Sequence, residues 1–184
     1  VDTILKATTG VVTAEVTGDK ANILVSQLKN ANAKDDLDIT VLTDANGTSA
    51  KDLIALTKKT SFITGVDASA ITTDGIVGSV ADINAVIKAK ADAKLVLDAA
   101  VAYSVTGTIT AAQANAIADA TSGVVTATIK ADSADLLRST LTDGTVNAYK
   151  LTVNGTTADA ADLLALDGKT SITENAAAIK NITG

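Results

Sequence analysis

The chain has 184 residues, 47% of them hydrophobic, carries a net charge of −6, and contains no Cys, His, Pro, Trp or Met. Thiolate or imidazole zinc sites, haem ligation by either residue and Ser-His-Asp triads are thereby excluded. With Arg138 as the only arginine, an Arg- and aromatic-lined nucleic-acid groove is disfavoured, and no run approaches the ~18 apolar residues of a spanning helix.

Taken in chain order, short β-branched strands are expected at Val11 to Val16, Leu37 to Thr43, Phe62 to Val66, Val101 to Thr106, Val124 to Ile129, Tyr149 to Val153 and Ser171 to Thr173. Alternation places Val12, Ala14 and Val16 on one face and Thr13 and Glu15 on the other. Between the strands, cap residues announce helices. Asp19 precedes Ala21 to Leu28, Thr48 or Ser49 precedes Ala50 to Leu56, and Ser79 precedes Ala81 to Ile87. Thr110 precedes Ala111 to Ala118, Asp132 or Ser133 precedes Ala134 to Leu141, and Thr157 or Asp159 precedes Ala160 to Leu166. Asp52, Asp82, Asp135 and Asp162 each fall in a first helical turn, where a carboxylate faces the positive end of the helix dipole. Asn46-Gly47, Asp143-Gly144, Asn154-Gly155 and Asp167-Gly168 read as turns that use positive φ.

The chain also repeats itself. Gly10-Val11-Val12-Thr13-Ala14 returns as Gly123-Val124-Val125-Thr126-Ala127, and Asp52-Leu53-Ile54-Ala55-Leu56 followed by Lys59-Thr60-Ser61 returns as Asp162-Leu163-Leu164-Ala165-Leu166 followed by Lys169-Thr170-Ser171. Within this period of about 110 residues, strand centres recur every 20 to 27 residues or so, the length of one strand, one helix and two loops. The fold expected is α/β: a repeat solenoid of short parallel strands alternating with short helices, with a compact α/β domain as the alternative. Residues 1–120 form a first repeat block with an irregular stretch at 65–100, and residues 121–184 form a partial second block of one continuous solenoid. Lys94 to Leu97 offers a further strand in the irregular stretch. Ile4 to Gly10 aligns with Ile117 to Gly123, so the chain is expected to open in mid-repeat, as an excised segment without a signal peptide.

Outward strand positions carry hydroxyls at Thr13, Thr40, Ser104, Thr106, Thr126, Thr128 and Thr152. Stacked in a parallel sheet they would form a flat hydroxyl and methyl face, and the threonines among them are the candidate contact face. Asp44, Asn46, Thr48 and Asp52 sit at positions one, three, five and nine of a calcium-type loop, but glycine is misplaced and Ala55 stands where a bidentate Glu is needed, so a turn leading into a helix cap is the better reading. Asn46-Gly47-Thr48, Asn154-Gly155-Thr156 and Asn181-Ile182-Thr183 match the N-glycosylation acceptor pattern, as chance matches in an Asn- and Thr-rich chain. Asp35 and Asp36 are adjacent and lack surrounding aromatics, unlike a glycosidase pair. Neither a catalytic nor a cofactor-binding nor a metal-binding set is expected, and no enzyme activity.

The phrases Ala111-Ala112-Gln113-Ala114-Asn115-Ala116-Ile117, Gly123-Val124-Val125-Thr126-Ala127-Thr128-Ile129 and Leu163-Leu164-Ala165-Leu166-Asp167-Gly168-Lys169-Thr170-Ser171 resemble the tandem Thr- and Ala-rich repeats of very large adhesin-like or haemolysin-like surface or secreted proteins of cyanobacteria and other aquatic bacteria. The resemblance implies an extracellular or cell-surface setting and a structural or adhesive role, and it carries no functional residues across. The expected function is a structural repeat segment of a scaffold, adhesin or filament that self-associates end to end or with neighbouring repeats. The alternative is a binding module whose threonine face takes a glycan, ice or a partner protein.

Overall fold

In the computed structural model, residues 1–142 and 146–184 are described, and the expected Asp143-Gly144 turn lies outside them. The described residues group into two units, Val1–Val101 and Ala102–Gly184. Each is α/β, with parallel strands alternating with short helices.

In the first unit, α1 (Asp2–Ala7) leads into β1 (Thr13–Asp19), α2 (Ala21–Gln27) and β2 (Asp36–Val41). Next come the two-residue β3 (Thr48–Ser49), α3 (Ala50–Leu56), β4 (Val66–Asp67), β5 (Ile76–Ser79) and α4 (Val80–Ala91). One sheet has the order β1-β2-β4, all parallel, and a single bridge from Asp67 to Val96 extends it. β3 and β5 form a second parallel pair. Partners are 23 residues apart at Thr13 and Asp36, 27 at Ile39 and Val66, and 29 at Asp67 and Val96. The 29-residue step falls where the rhythm of the sequence breaks and encloses α4, which runs for 12 residues against seven in α2 and α3.

The second unit follows the same plan. β6 (Tyr103–Ile109), α5 (Ala111–Ala118), β7 (Val125–Ile129), α6 (Ala134–Thr140) and β8 (Ala148–Lys150) precede β9 (Thr157–Asp159), α7 (Ala160–Asp167) and β10 (Asn181–Thr183). β6, β7 and β8 pair in parallel, Thr152 bridges to Asn175, and β9 pairs with β10. Here the steps are 22 residues from Tyr103 to Val125, 22 from Thr126 to Ala148 and 23 from Thr152 to Asn175.

The core of each unit lies between strands and helices. Leu37, Ile39 and Val41 of β2 are buried, as are Ala21 and Leu24 of α2, Ala50, Leu53 and Leu56 of α3, and Ile83 and Val86 of α4. Such side chains contribute roughly 1.5–3 kcal/mol each for Leu, Ile or Val and less for Ala. No single strand and helix offsets its own ordering entropy, so α2 packs on α3 and α3 on α4, as α5 packs on α6 and α6 on α7.

Helix starts follow the cap chemistry. Ser49 accepts the Asp52 N–H, Ser79 the Asp82 N–H and Asp159 the Ala161 N–H, while Thr110 and Gln113 form a capping box. At α2 the N-cap is Lys20, and Asp19 instead accepts the Lys20 N–H. Asp162 does more than face a dipole, since its Oδ1 receives Arg138 Nε at 2.7 Å and ties α7 to the last turn of α6.

Several expected elements are corrected. Phe62 to Gly65 is a turn rather than a strand: Gly65 N–H reaches the Phe62 carbonyl, Thr64 has φ 62°, and pairing begins only at Val66. Ser171 to Thr173 is unpaired and the rung falls at Asn175, while Lys94 to Leu97 contributes only Val96. Gly47 and Gly155 take positive φ, but Gly168 remains right-handed at φ −71° because it continues the end of α7.

Tyr103 is buried on β6, and its hydroxyl has no hydrogen-bond partner among the described residues. Burial pushes its phenol up to about 12 from 10.0. The unfolded chain therefore ionises first, and the Tyr103 contribution, intact below about pH 10, is lost as pH rises towards about 12. Tyr103→Phe should hold or raise the melting temperature at neutral pH and flatten the alkaline decline. Thermal melts of both proteins at stepped alkaline pH check this, and a variant that melts clearly lower at neutral pH would contradict it.

Candidate functional site

The candidate contact residues lie on the outward faces of the sheets, but the two units build them differently. In the first unit Thr13 sits beside Asp36, Glu15 beside Asp38, and Thr40 beside Asp67. Its outward face is thus a row of carboxylates with threonine at the margins, not a hydroxyl ladder. Phe62 joins Thr13, Glu15, Asp36 and Asp38 around a shallow recess of about 190 Å³. In the second unit two rungs of hydroxyls do form, Ser104 beside Thr126 and Thr108 beside Thr128, ending at Ala148 and Lys150 respectively. Thr106 falls within the register shift of β6, next to Gly107 at φ 83°, and joins neither rung. Thr152 stands further along, bridged to Asn175.

The Asp44 loop is a turn. Asp44 Oδ1 accepts the Asn46 N–H and Lys20 Nζ, each at 3.2 Å, and the Asn46 N–H, then Lys20, hold the carboxyl below its usual range. Asp52 belongs to the first turn of α3. No cluster of three or more acidic, His or Cys side chains able to hold a metal ion occurs among the described residues. Among the described residues, no helix is long and apolar enough to cross a membrane. The larger hollows are surface grooves of about 560 Å³, along α2, α3 and α4 by Val25, Ile54 and Ala85, and of about 380 Å³, by Thr57, Phe62, Ile63 and Ala93.

The most highly organised polar groups are buried, and they do the same work twice. Thr60 Oγ1 accepts the Leu37 N–H at 2.9 Å and the Phe62 N–H at 3.1 Å and donates to the Leu37 carbonyl at 2.8 Å, which uses its whole hydrogen-bonding capacity. About 110 residues later, Thr170 Oγ1 accepts the Tyr149 N–H at 3.0 Å and the Ile172 N–H at 3.3 Å and donates to the Tyr149 carbonyl at 2.8 Å. The next residue repeats as well: Ser61 donates through N–H and Oγ to the Asp35 carbonyl, and Ser171 does so to the Asn147 carbonyl. Asp35 Oδ1 in turn accepts the Val12 N–H at 3.1 Å, and Asn147 Oδ1 accepts the Val125 N–H at 2.9 Å.

Each set is a strap across three successive strand segments. It exists because the chain leaves its helix as a turn and cannot yet pair, which would leave the backbone of Leu37 or Tyr149 buried without partners. A second tether also recurs. Asp2 of α1 holds the Asn30 N–H and side chain beyond α2, and Asn115 of α5 donates to the carbonyl of Thr140, the last residue of α6, and accepts the Thr142 N–H just beyond it. The only sequence signal for the straps was the repeated Lys-Thr-Ser triplet. Comparison with protein-family models, curated proteins and solved structures finds no match.

Proposed function

We propose that the chain is a non-catalytic structural repeat segment of an extracellular or cell-surface scaffold, adhesin or filament, built as a solenoid whose coils are the strand and helix units described above. The observation that carries this reading is the matched pair of straps at Thr60 and Thr170, with Asp35 and Asn147 at corresponding positions. These buried hydrogen bonds thus join one strand segment to the next. The parallel register steps of 20 to 29 residues support the solenoid form. The extracellular placement draws on the Thr- and Ala-rich repeat text and its resemblance to aquatic bacterial surface proteins. Protease shaving of intact producing cells should release peptides of this chain; recovery only after lysis would contradict the placement.

The rungs Ser104–Thr126 and Thr108–Thr128 favour, as a second reading, a binding module for a glycan, ice or partner protein. Saturable glycan uptake lost in Thr126→Lys would favour that reading over the first.

A further inference from the structure

We infer that Asn154 is a site of self-modification: in the folded chain its side-chain amide is converted to a carboxylate through attack by the Gly155 main-chain nitrogen, while the same dipeptide at Asn46-Gly47 is protected. The reaction needs only this turn and stands whether or not the chain belongs to a scaffold. Asparagine before glycine is the pairing most open to it, because glycine has no side chain to crowd the approach of its own nitrogen. Water is the co-reactant. The Gly155 nitrogen, deprotonated by hydroxide, bonds to the carbonyl carbon of the Asn154 side chain. The bond from that carbon to the amide nitrogen breaks, and ammonia leaves with a proton from water, which returns the hydroxide. A second water opens the cyclic imide at either carbonyl, giving aspartate or its β-linked isomer, isoaspartate.

The two Asn-Gly turns differ in what holds the glycine nitrogen. Asn46 and Asn154 are both exposed, and both glycines take positive φ, at 84° and 99°. Gly47 N–H, however, donates to the Asp44 carbonyl at 2.8 Å, and the Asn46 N–H is held by the Asp44 carboxylate. Val77 also lies against Gly47, where an added Cβ would collide with it. A nitrogen in that position must give up its hydrogen bond before it can lose its proton and turn on the side chain. Gly155 N–H has no partner among the described residues, and an added Cβ there would meet only the Thr157 carbonyl, at 3.8 Å. The residues on either side are pinned. Asn154 N–H donates to the Asp132 carbonyl, and the Thr156 carbonyl accepts the Lys180 and Asn181 N–H groups. Isoaspartate adds a methylene to the main chain between these two bonded positions, so the change is carried into the β9 and β10 pair.

Peptide mapping by mass spectrometry of the 184-residue chain, aged in mildly alkaline buffer, reads both conversions side by side. Loss of the Asn154 amide should run about tenfold ahead of loss at Asn46, a factor equivalent to about 1.4 kcal/mol, the order of one hydrogen bond kept in the turn. Isoaspartate should be among the products at position 154. In urea sufficient to unfold the chain the gap should close, because the bond that protects Asn46 is gone. Asn46 converting as fast as Asn154 in the folded chain, no conversion at Asn154 in the folded chain, or a gap that persists in urea would each overturn the inference.

Discussion

Thr60→Val lowers the stability of the chain by about 2–4 kcal/mol, far more than the few tenths expected of a surface threonine. Valine fills the same volume, so packing around Leu37 is retained. What disappears is the one donor and acceptor serving the N–H and carbonyl of Leu37 together, and both groups are buried. Each such orphan costs about 1–3 kcal/mol. Thr60→Ser keeps the hydroxyl and should lose only about 1 kcal/mol for the methyl group. Thr170→Val should reproduce the loss at Tyr149 in the second unit. Urea unfolding followed by circular dichroism gives the magnitude, and amide exchange should show faster opening at Leu37. A cost below about 0.5 kcal/mol for both valine variants would mean that the straps are incidental.

Asp35 carries the second large effect. Its Oδ1 holds the Val12 N–H and its Oδ2 holds the N–H and side chain of Asn32, with almost no solvent access. Asp35→Leu leaves those donors unpaired and should cost about 3 kcal/mol. Asp35→Asn should be intermediate, for a reason visible in the other unit. Asn147 already serves Val125 with a single amide oxygen, but at position 35 the amide nitrogen would face the Asn32 donors. Equal stability of the Leu and Asn variants, measured in the same urea series, would show that packing alone matters there.

The α/β class, the parallel pairing and most helix starts were legible because they depend on local chemistry: period-two alternation around Val12 to Val16, and hydroxyl caps at Ser49, Ser79 and Thr110. Strand limits were less legible because they are set by the neighbouring segment. Phe62 to Gly65 has the composition of a strand, yet the Thr60 hydroxyl takes the place of a pairing strand at Leu37, so the chain turns until Val66. The two-residue strands β3 and β4 carry no periodicity at all. Alternation did identify outward-facing threonines, but which residue stands beside which is fixed by register, and register set Thr13 against Asp36 and Thr40 against Asp67. The straps showed in the sequence only as text that recurred.

Excising one whole coil is the most direct test that the chain is a stack of equivalent units. Removing residues 12–34 joins Val11 to Asp35, keeps the Asp35 to Ser61 strap, and takes away one register step of 23 residues. Thermal and urea unfolding of this variant, followed by circular dichroism, should show a cooperative transition at a lower midpoint, with α/β content per residue preserved. A compact domain has no redundant layer to lose, so a chain left unfolded by the excision would contradict the account.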